Sequence, residues 1–137
     1  MNLPQINVAV GVLMNEAREI LIARRPDGKP MPGSWEFPGG KIEAQETASQ
    51  ALLREMREEL GIRIDLDHTT LLGKVEYAYP EFIFHAPVFL CAHWQEEPQP
   101  LEGQRLAWIR LQDFPSYHFL PACEKIFSLI EQKTDLF

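Results

Sequence analysis

Residues 47–61 constrain the fold of this chain more than any other stretch, because both ends of a helix are marked there and its faces conflict. Thr47 followed by Gln50 forms a capping box at the start, and Gly61 supplies a left-handed stop. At about 100° per residue, Ala48, Leu52, Met56 and Leu60 fall on one stripe that must face a core. Glu59 falls inside that apolar sector, Glu55 falls on its border, and Glu58 lies next to Glu55. A carboxylate at a core-facing position is penalised by roughly several kcal/mol unless it is paired or binds a metal. Glu55 and Glu59, one turn apart, also repel each other. All three acids sit at the helix C-terminus, where the dipole favours cations. A solvated face with an Arg54–Glu58 pair, worth about a few tenths of a kcal/mol, explains Arg54, Arg57 and Glu58 but leaves Glu59 without a reason. The helix therefore needs a positive partner. A hard divalent cation such as Mg²⁺, which takes carboxylate and carbonyl oxygens and keeps waters and phosphate oxygens in its shell, fits best; a purely structural charge cluster is the alternative.

Around that helix the pattern alternates between strands and loops. INVAVGVLM (6–14) and EILIARR (19–25) read as paired strands joined by a polar turn. PDGKPMPGSWEFPGG (26–40) holds four prolines and four glycines in 15 residues and reads as a long ordered loop, of the kind that carries function. Residues 71–80 and 81–94 read as longer strands, with Pro87 placing the second at an edge or a bulge. Residues 95–104 read as a polar loop and 105–111 as a strand. The stretch 120–132 reads as an amphipathic helix with Pro121 in its first turn.

At 137 residues the chain suits a single domain, 1–137. Its 13 Lys and Arg against 20 Asp and Glu give a formal charge of −7, which argues against a polymeric nucleic-acid partner. A small phosphorylated ligand remains compatible, since a bound divalent cation reverses the local field. Cys91 and Cys123 show no metal-ligand spacing and read as buried thiols in a reducing compartment. The N-terminal apolar run is too short to span a bilayer, so the expectation is a cytoplasmic protein with no membrane partner, monomeric or homodimeric. His68, His85, His93 and His118 read as surface or packing residues, and Trp35, Trp94 and Trp108 as core or pocket walls.

Gly40, Glu46 and the run Arg54-Glu55-Met56-Arg57-Glu58-Glu59-Leu60-Gly61-Ile62 together resemble the Nudix box, G-x5-E-x7-R-E-U-x-E-E-x-G-U, where U is a bulky aliphatic residue. Every fixed position matches, and Met56 keeps the apolar character of its position. IARRP (22–26), WEFPGGKIE (35–43) and PLEGQRLAW (100–108) extend the likeness to the MutT-type nucleotide pyrophosphohydrolases of that family. The resemblance implies an α/β/α sandwich around a central mixed sheet. It also implies Mg²⁺-dependent hydrolysis, with Mn²⁺ as a substitute, of a nucleoside triphosphate to the monophosphate and pyrophosphate. Carried over by position, Glu55, Glu58 and Glu59 resemble the metal-binding and catalytic acids. A carbonyl of the Gly39-Gly40 pair would complete the metal shell, and Glu102 resembles an extra loop carboxylate that assists the metals or the attacking water. Arg54 would orient the glutamates, Arg25 resembles a phosphate contact, and Glu36, Phe37 and Pro38 would line the nucleotide pocket.

The match breaks at the base. Members that clear oxidised guanine carry an asparagine in a P-A-N-E stretch, where this chain has Pro121-Ala122-Cys123-Glu124. A thiol cannot replace a bidentate amide. Phe82 stands where an arginine helps to close the pocket. The resemblance thus leaves 8-oxo-dGTP or a related triphosphate as the first candidate. CTP or dCTP, a nucleotide sugar, another diphosphate, or a non-cleaving nucleotide sensor are the rivals.

Overall fold

A computed structural model describes residues 2–133. Its strands are β1 (Gln5–Leu13), β2 (Ile20–Arg24), β3 (Trp35–Glu36), β4 (Gly39–Lys41), β5 (Arg63–Ile64), β6 (Thr69–Ala78), β7 (Ile83–Cys91), β8 (Trp94–Gln95) and β9 (Arg105–Ile109). The helices are α1 (Ala48–Leu60) and α2 (Cys123–Glu131), with 3₁₀ turns at Leu66–His68 and Leu111–Ser116. A mixed sheet runs β4-β1-β7-β6, in which β1 and β7 are parallel and the outer pairs are antiparallel. An antiparallel sheet, β3-β2-β9, and the small β5-β8 pair complete the topology.

Alternation along β1 and β2 divides the core between the helices. Ala9, Leu13 and Leu21 pack with Leu52, Met56 and Leu60 of α1, whereas Val10, Val12, Ile20 and Ile22 pack with Cys123, Ile126 and Ile130 of α2. The sheets are thus held between two helices, an α/β/α sandwich. Leu52, Met56 and Leu60 expose no surface, and burying side chains of this size stabilises by roughly 1.5–3 kcal/mol each. That gain offsets the cost of carrying carboxylates on the same helix. The capping box is present at Thr47 and Gln50, and Gly61 adopts φ 69° as the left-handed cap.

Several local expectations are corrected. β1 and β2 do not form a hairpin; a single bridge, Met14 to Ile20, links them. β1 pairs instead with β4 and β7, and β2 with β3 and β9. The loop expected over 26–40 contains β3 and β4. Pro87 lies on an interior strand rather than an edge. The β1–β7 register passes from Asn7–His85 to Val10–Val88, so the missing N–H falls where that ladder lapses, and β6 is irregular between Leu71 and Gly73 on the other side. The strand expected over 81–94 ends at Cys91, and β8 is separate. On α1 it is Ala51 that is fully buried, while Ala48 is half-buried. The buried sector therefore widens toward Glu55, and both Glu55 and Glu59 fall inside it.

Candidate active site

The C-terminal turns of α1 lie against β4, where Gly40 permits the approach of the helix and Gly39 the close packing of β4 on β1. A methyl group at Gly40 would overlap the Glu55 carboxylate, and one at Gly39 would overlap the Ala9 carbonyl. The Gly39 amide donates to Glu59 Oε2 at 3.0 Å. Gly40→Ala must therefore move Glu55, and with Glu55 in the catalytic role that the Nudix-box resemblance implies, a displacement of about 1 Å costs on the order of 10²-fold in rate. The expected outcome is a kcat lowered by about that factor with far-ultraviolet circular dichroism unchanged.

Arg54 is the hub of the acidic cluster. Its Nε and Nη2 bond Glu46 at 2.7 and 2.9 Å, Nη1 bonds Glu55 at 2.7 Å and Glu58 at 3.2 Å, and Nη2 also reaches the Lys41 carbonyl at 2.9 Å. The Arg54 hydrogen bond holds Glu46 down to about 2 and raises Arg54 itself. Burial raises Glu55; Arg54 opposes this, and the charges of Glu58 and Glu102 add to it. Glu59 is the extreme member. Burial first, then Glu102, Glu36 and Glu55, push it up to about 8 against the Gly39 hydrogen bond. No Lys, Arg or His pairs with it among the described residues.

The polar loop that follows β8 covers this end of α1. Gln99 N–H donates to the Leu60 carbonyl at 2.9 Å and Leu101 N–H to that of Glu59 at 3.2 Å, satisfying carbonyls that a helix C-terminus leaves open. Glu102 is exposed, yet its charge reaches both Glu55 and Glu59. Gln104, which nothing in the sequence marked as special, is only 8% exposed and is tied to the Glu59 carbonyl at 3.1 Å.

The NUDIX domain family matches residues 4–128, nearly the whole of the described structure. The chain belongs to the NUDIX family. It is 38% identical to the 8-oxo-dGTP diphosphatase of Escherichia coli K12 over 128 residues, covering 93% of this chain and 98% of that one. The CTP pyrophosphohydrolase of the same organism is 33% identical over 113 residues, 82% of either chain. A solved chain of MutT from Aliivibrio salmonicida or Vibrio cholerae superposes with a TM-score of 0.78 at 32% identity, covering 93% of this chain and 98% of that one.

Within the Nudix fold the remaining sequence-predicted residues fall in two places. Arg25 Nη1 bonds both oxygens of Glu36 at 3.1 Å, and its Nε bonds the Pro30 carbonyl at 2.7 Å. Glu36, Phe37, Gly39 and Cys123 line a narrow cleft with Tyr79 and Phe84. Pro38, expected to line the pocket, is fully buried, and its carbonyl accepts from Gly11 N–H. The cleft is small, with a volume of about 60 Å³. Burial pushes the Cys123 thiol up to about 12, leaving it neutral. Phe82 stacks on Tyr79 with ring centroids 4.9 Å apart, and the Tyr79 hydroxyl accepts from Ala122 N–H at 3.1 Å. A larger concavity of about 730 Å³, lined by Leu53, Arg57, Arg63, His93 and Trp94 among others, shares no residue with the acidic cluster.

The acids suit a hard cation by chemistry, since all are oxygen donors and the buried Glu59 faces mainly negative charge. Among the described residues no three of His, Cys, Asp and Glu converge closely enough to hold a metal as they stand. Arg54 engages Glu55 and Glu58, and the Gly39 amide engages Glu59. Binding a metal would require these side chains to exchange partners.

Proposed function

We propose that this single Nudix domain hydrolyses a nucleoside triphosphate to the monophosphate and pyrophosphate with Mg²⁺, or Mn²⁺ in its place, and that 8-oxo-dGTP or a related triphosphate is its substrate. The observation that carries this reading is the juxtaposition across β3 and β4. Glu36, Phe37 and Gly39 line an aromatic cleft while the Gly39 amide holds Glu59 of the acidic cluster. A base in the cleft thereby delivers its phosphate chain to the glutamates.

In this reading the metal supplies charge neutralisation for the phosphates and a lowered pKa for the attacking water. Glu55, Glu58, Glu59 and Glu102, with a carbonyl of Gly39 or Gly40, provide its donors. A glutamate not engaged with the metal would take the proton as water bonds to phosphorus and the P–O bond of the α–β phosphoanhydride breaks, leaving monophosphate and pyrophosphate. Arg54 keeps the acids oriented, and Arg25 exchanges Glu36 for phosphate oxygens. Nucleotide-pool cleaning in the cytosol, by a monomer or homodimer, is the corresponding role.

Cys123 favours a second reading, hydrolysis of CTP or dCTP, because its neutral thiol lacks the amide that pairs with an oxidised guanine, and a CTP pyrophosphohydrolase is among the relatives. The test is kcat/KM with Mg²⁺ for 8-oxo-dGTP, dGTP, CTP and dCTP. A site that hydrogen-bonds a group discriminates by about 10⁴–10⁵, whereas shape alone gives roughly 10–200-fold. The expected preference for 8-oxo-dGTP over dGTP lies in the lower range, and Cys123→Asn is expected to raise it about tenfold or more. A wild-type ratio in the thousands would assign base reading to other groups, and higher values for the cytidine nucleotides would establish the second reading. Nucleotide binding without turnover of any of them would make the domain a sensor.

A further inference from the structure

We infer that Gln104 is a positioning residue that sets Glu102 against the catalytic end of α1 and acts on turnover only through Glu102. The inference rests on the reading of Glu102 as the loop acid given above. Glu102 is exposed, and its carboxylate has no hydrogen-bond or ion-pair partner among the described residues, so its own side chain does not hold it in place. Its backbone does. Glu102 N–H donates to Gln104 Oε1 at 2.8 Å, while Gln104 Nε2 donates to the Glu59 carbonyl at 3.1 Å. One buried carboxamide thus ties the residue that carries the loop acid to the residue that carries the innermost helix acid. Gly103, at φ 77°, makes the turn that brings Gln104 back beneath Glu102.

The primary amide accepts at Oε1 and donates from Nε2 at once, and it does so without titrating. Glutamate in its place would lose the donor, and leucine would lose both ends while keeping much of the volume. The Glu59 carbonyl retains Leu101 N–H as a donor, so losing Gln104 frees Glu102 more than it uncaps α1.

The experiment is a double-mutant cycle of Gln104→Leu and Glu102→Gln. It is read as kcat and KM for the nucleotide with Mg²⁺, and as Mn²⁺ affinity from the electron paramagnetic resonance of free Mn²⁺ without nucleotide. Glu102→Gln is expected to lower kcat by about 10–100-fold, and Gln104→Leu by a similar or smaller factor with KM for the nucleotide little changed. Gln104→Leu should weaken Mn²⁺ binding in the wild-type background and change neither kcat nor Mn²⁺ affinity in the Glu102→Gln background. If Glu102→Gln leaves kcat unchanged, the reading of Glu102 is wrong. If Glu102→Gln lowers kcat but Gln104→Leu is silent, or is equally damaging in both backgrounds, Gln104 is merely structural and the inference is overturned. Gln104→Met, which keeps the length of the side chain and lacks both hydrogen-bonding ends, takes its place in the cycle should the leucine variant not fold.

Discussion

Glu59→Gln is expected to lower kcat by about 10³-fold or more while making the metal-free protein more stable at pH 8–9. The first effect follows from removing a charged donor at the centre of the cluster, on the scale of losing a group that stabilises developing charge. The second follows from linkage. Glu59 titrates near 8 in the folded chain against an ordinary 4.5, so the native state holds a proton that the unfolded state releases. Stability from this group is therefore fully present below about pH 4.5, falls as pH rises, and is lost above about 8. The difference is on the order of 3–5 kcal/mol. Glu55 and Glu36 are raised as well and act in the same direction. Glu46, held near 2, makes the opposite contribution, which disappears only as pH falls below about 4.5 and so leaves the neutral window untouched. Urea unfolding with chelator at pH 5, 7 and 9 should show the midpoint falling with pH in wild type and falling less in Glu59→Gln, where Glu55 and Glu36 leave a smaller slope. A mutant less stable than wild type at pH 9 would show that the Gly39–Glu59 contact stabilises more than burial of the charge destabilises.

Removal of divalent metal should abolish turnover, and Mg²⁺ or Mn²⁺ should restore it. Glu55 and Glu58 share the Arg54 guanidinium with Glu46, and Glu59 has no part of it, so the native cluster carries an unbalanced negative charge. A divalent cation bound only by the folded chain stabilises it by RT ln(1 + [L]/Kd), about 2.7 kcal/mol at a hundredfold excess over Kd. At pH 8 the urea midpoint of wild type should therefore rise with Mg²⁺, and that of Glu59→Gln should rise much less. Full turnover in excess chelator would remove the metal from the mechanism.

How far each of these sites was legible in the sequence depends on the range of the forces that build it. The ends of α1 were readable because the Thr47–Gln50 capping box and the Gly61 left-handed cap are made within a few residues of chain. The conflict at Glu59 was readable because helical geometry alone puts a carboxylate on the buried face. The partners of β1 and β2 were not readable, since periodicity reports that a strand has a buried face but not which neighbours claim its edges. Pro87 implies an edge or a bulge because its N–H is missing, and the strand is interior, where the local lapse of the β1–β7 ladder admits it.

The sequence by itself determined the helix that carries the acids, the side of that helix they occupy, and, through its box of glycines, glutamates and arginine, the family. Tertiary structure alone decided that Gly39 and Gly40 of β4 close on Glu59 and Glu55, that Pro38 is fully buried, and that Gln104 reaches back to Glu59. The difference is physical. Helix signals act over one or two turns of chain, whereas a strand that meets a helix, or a loop amide that meets a carbonyl 45 residues away, depends on how the two core faces pack.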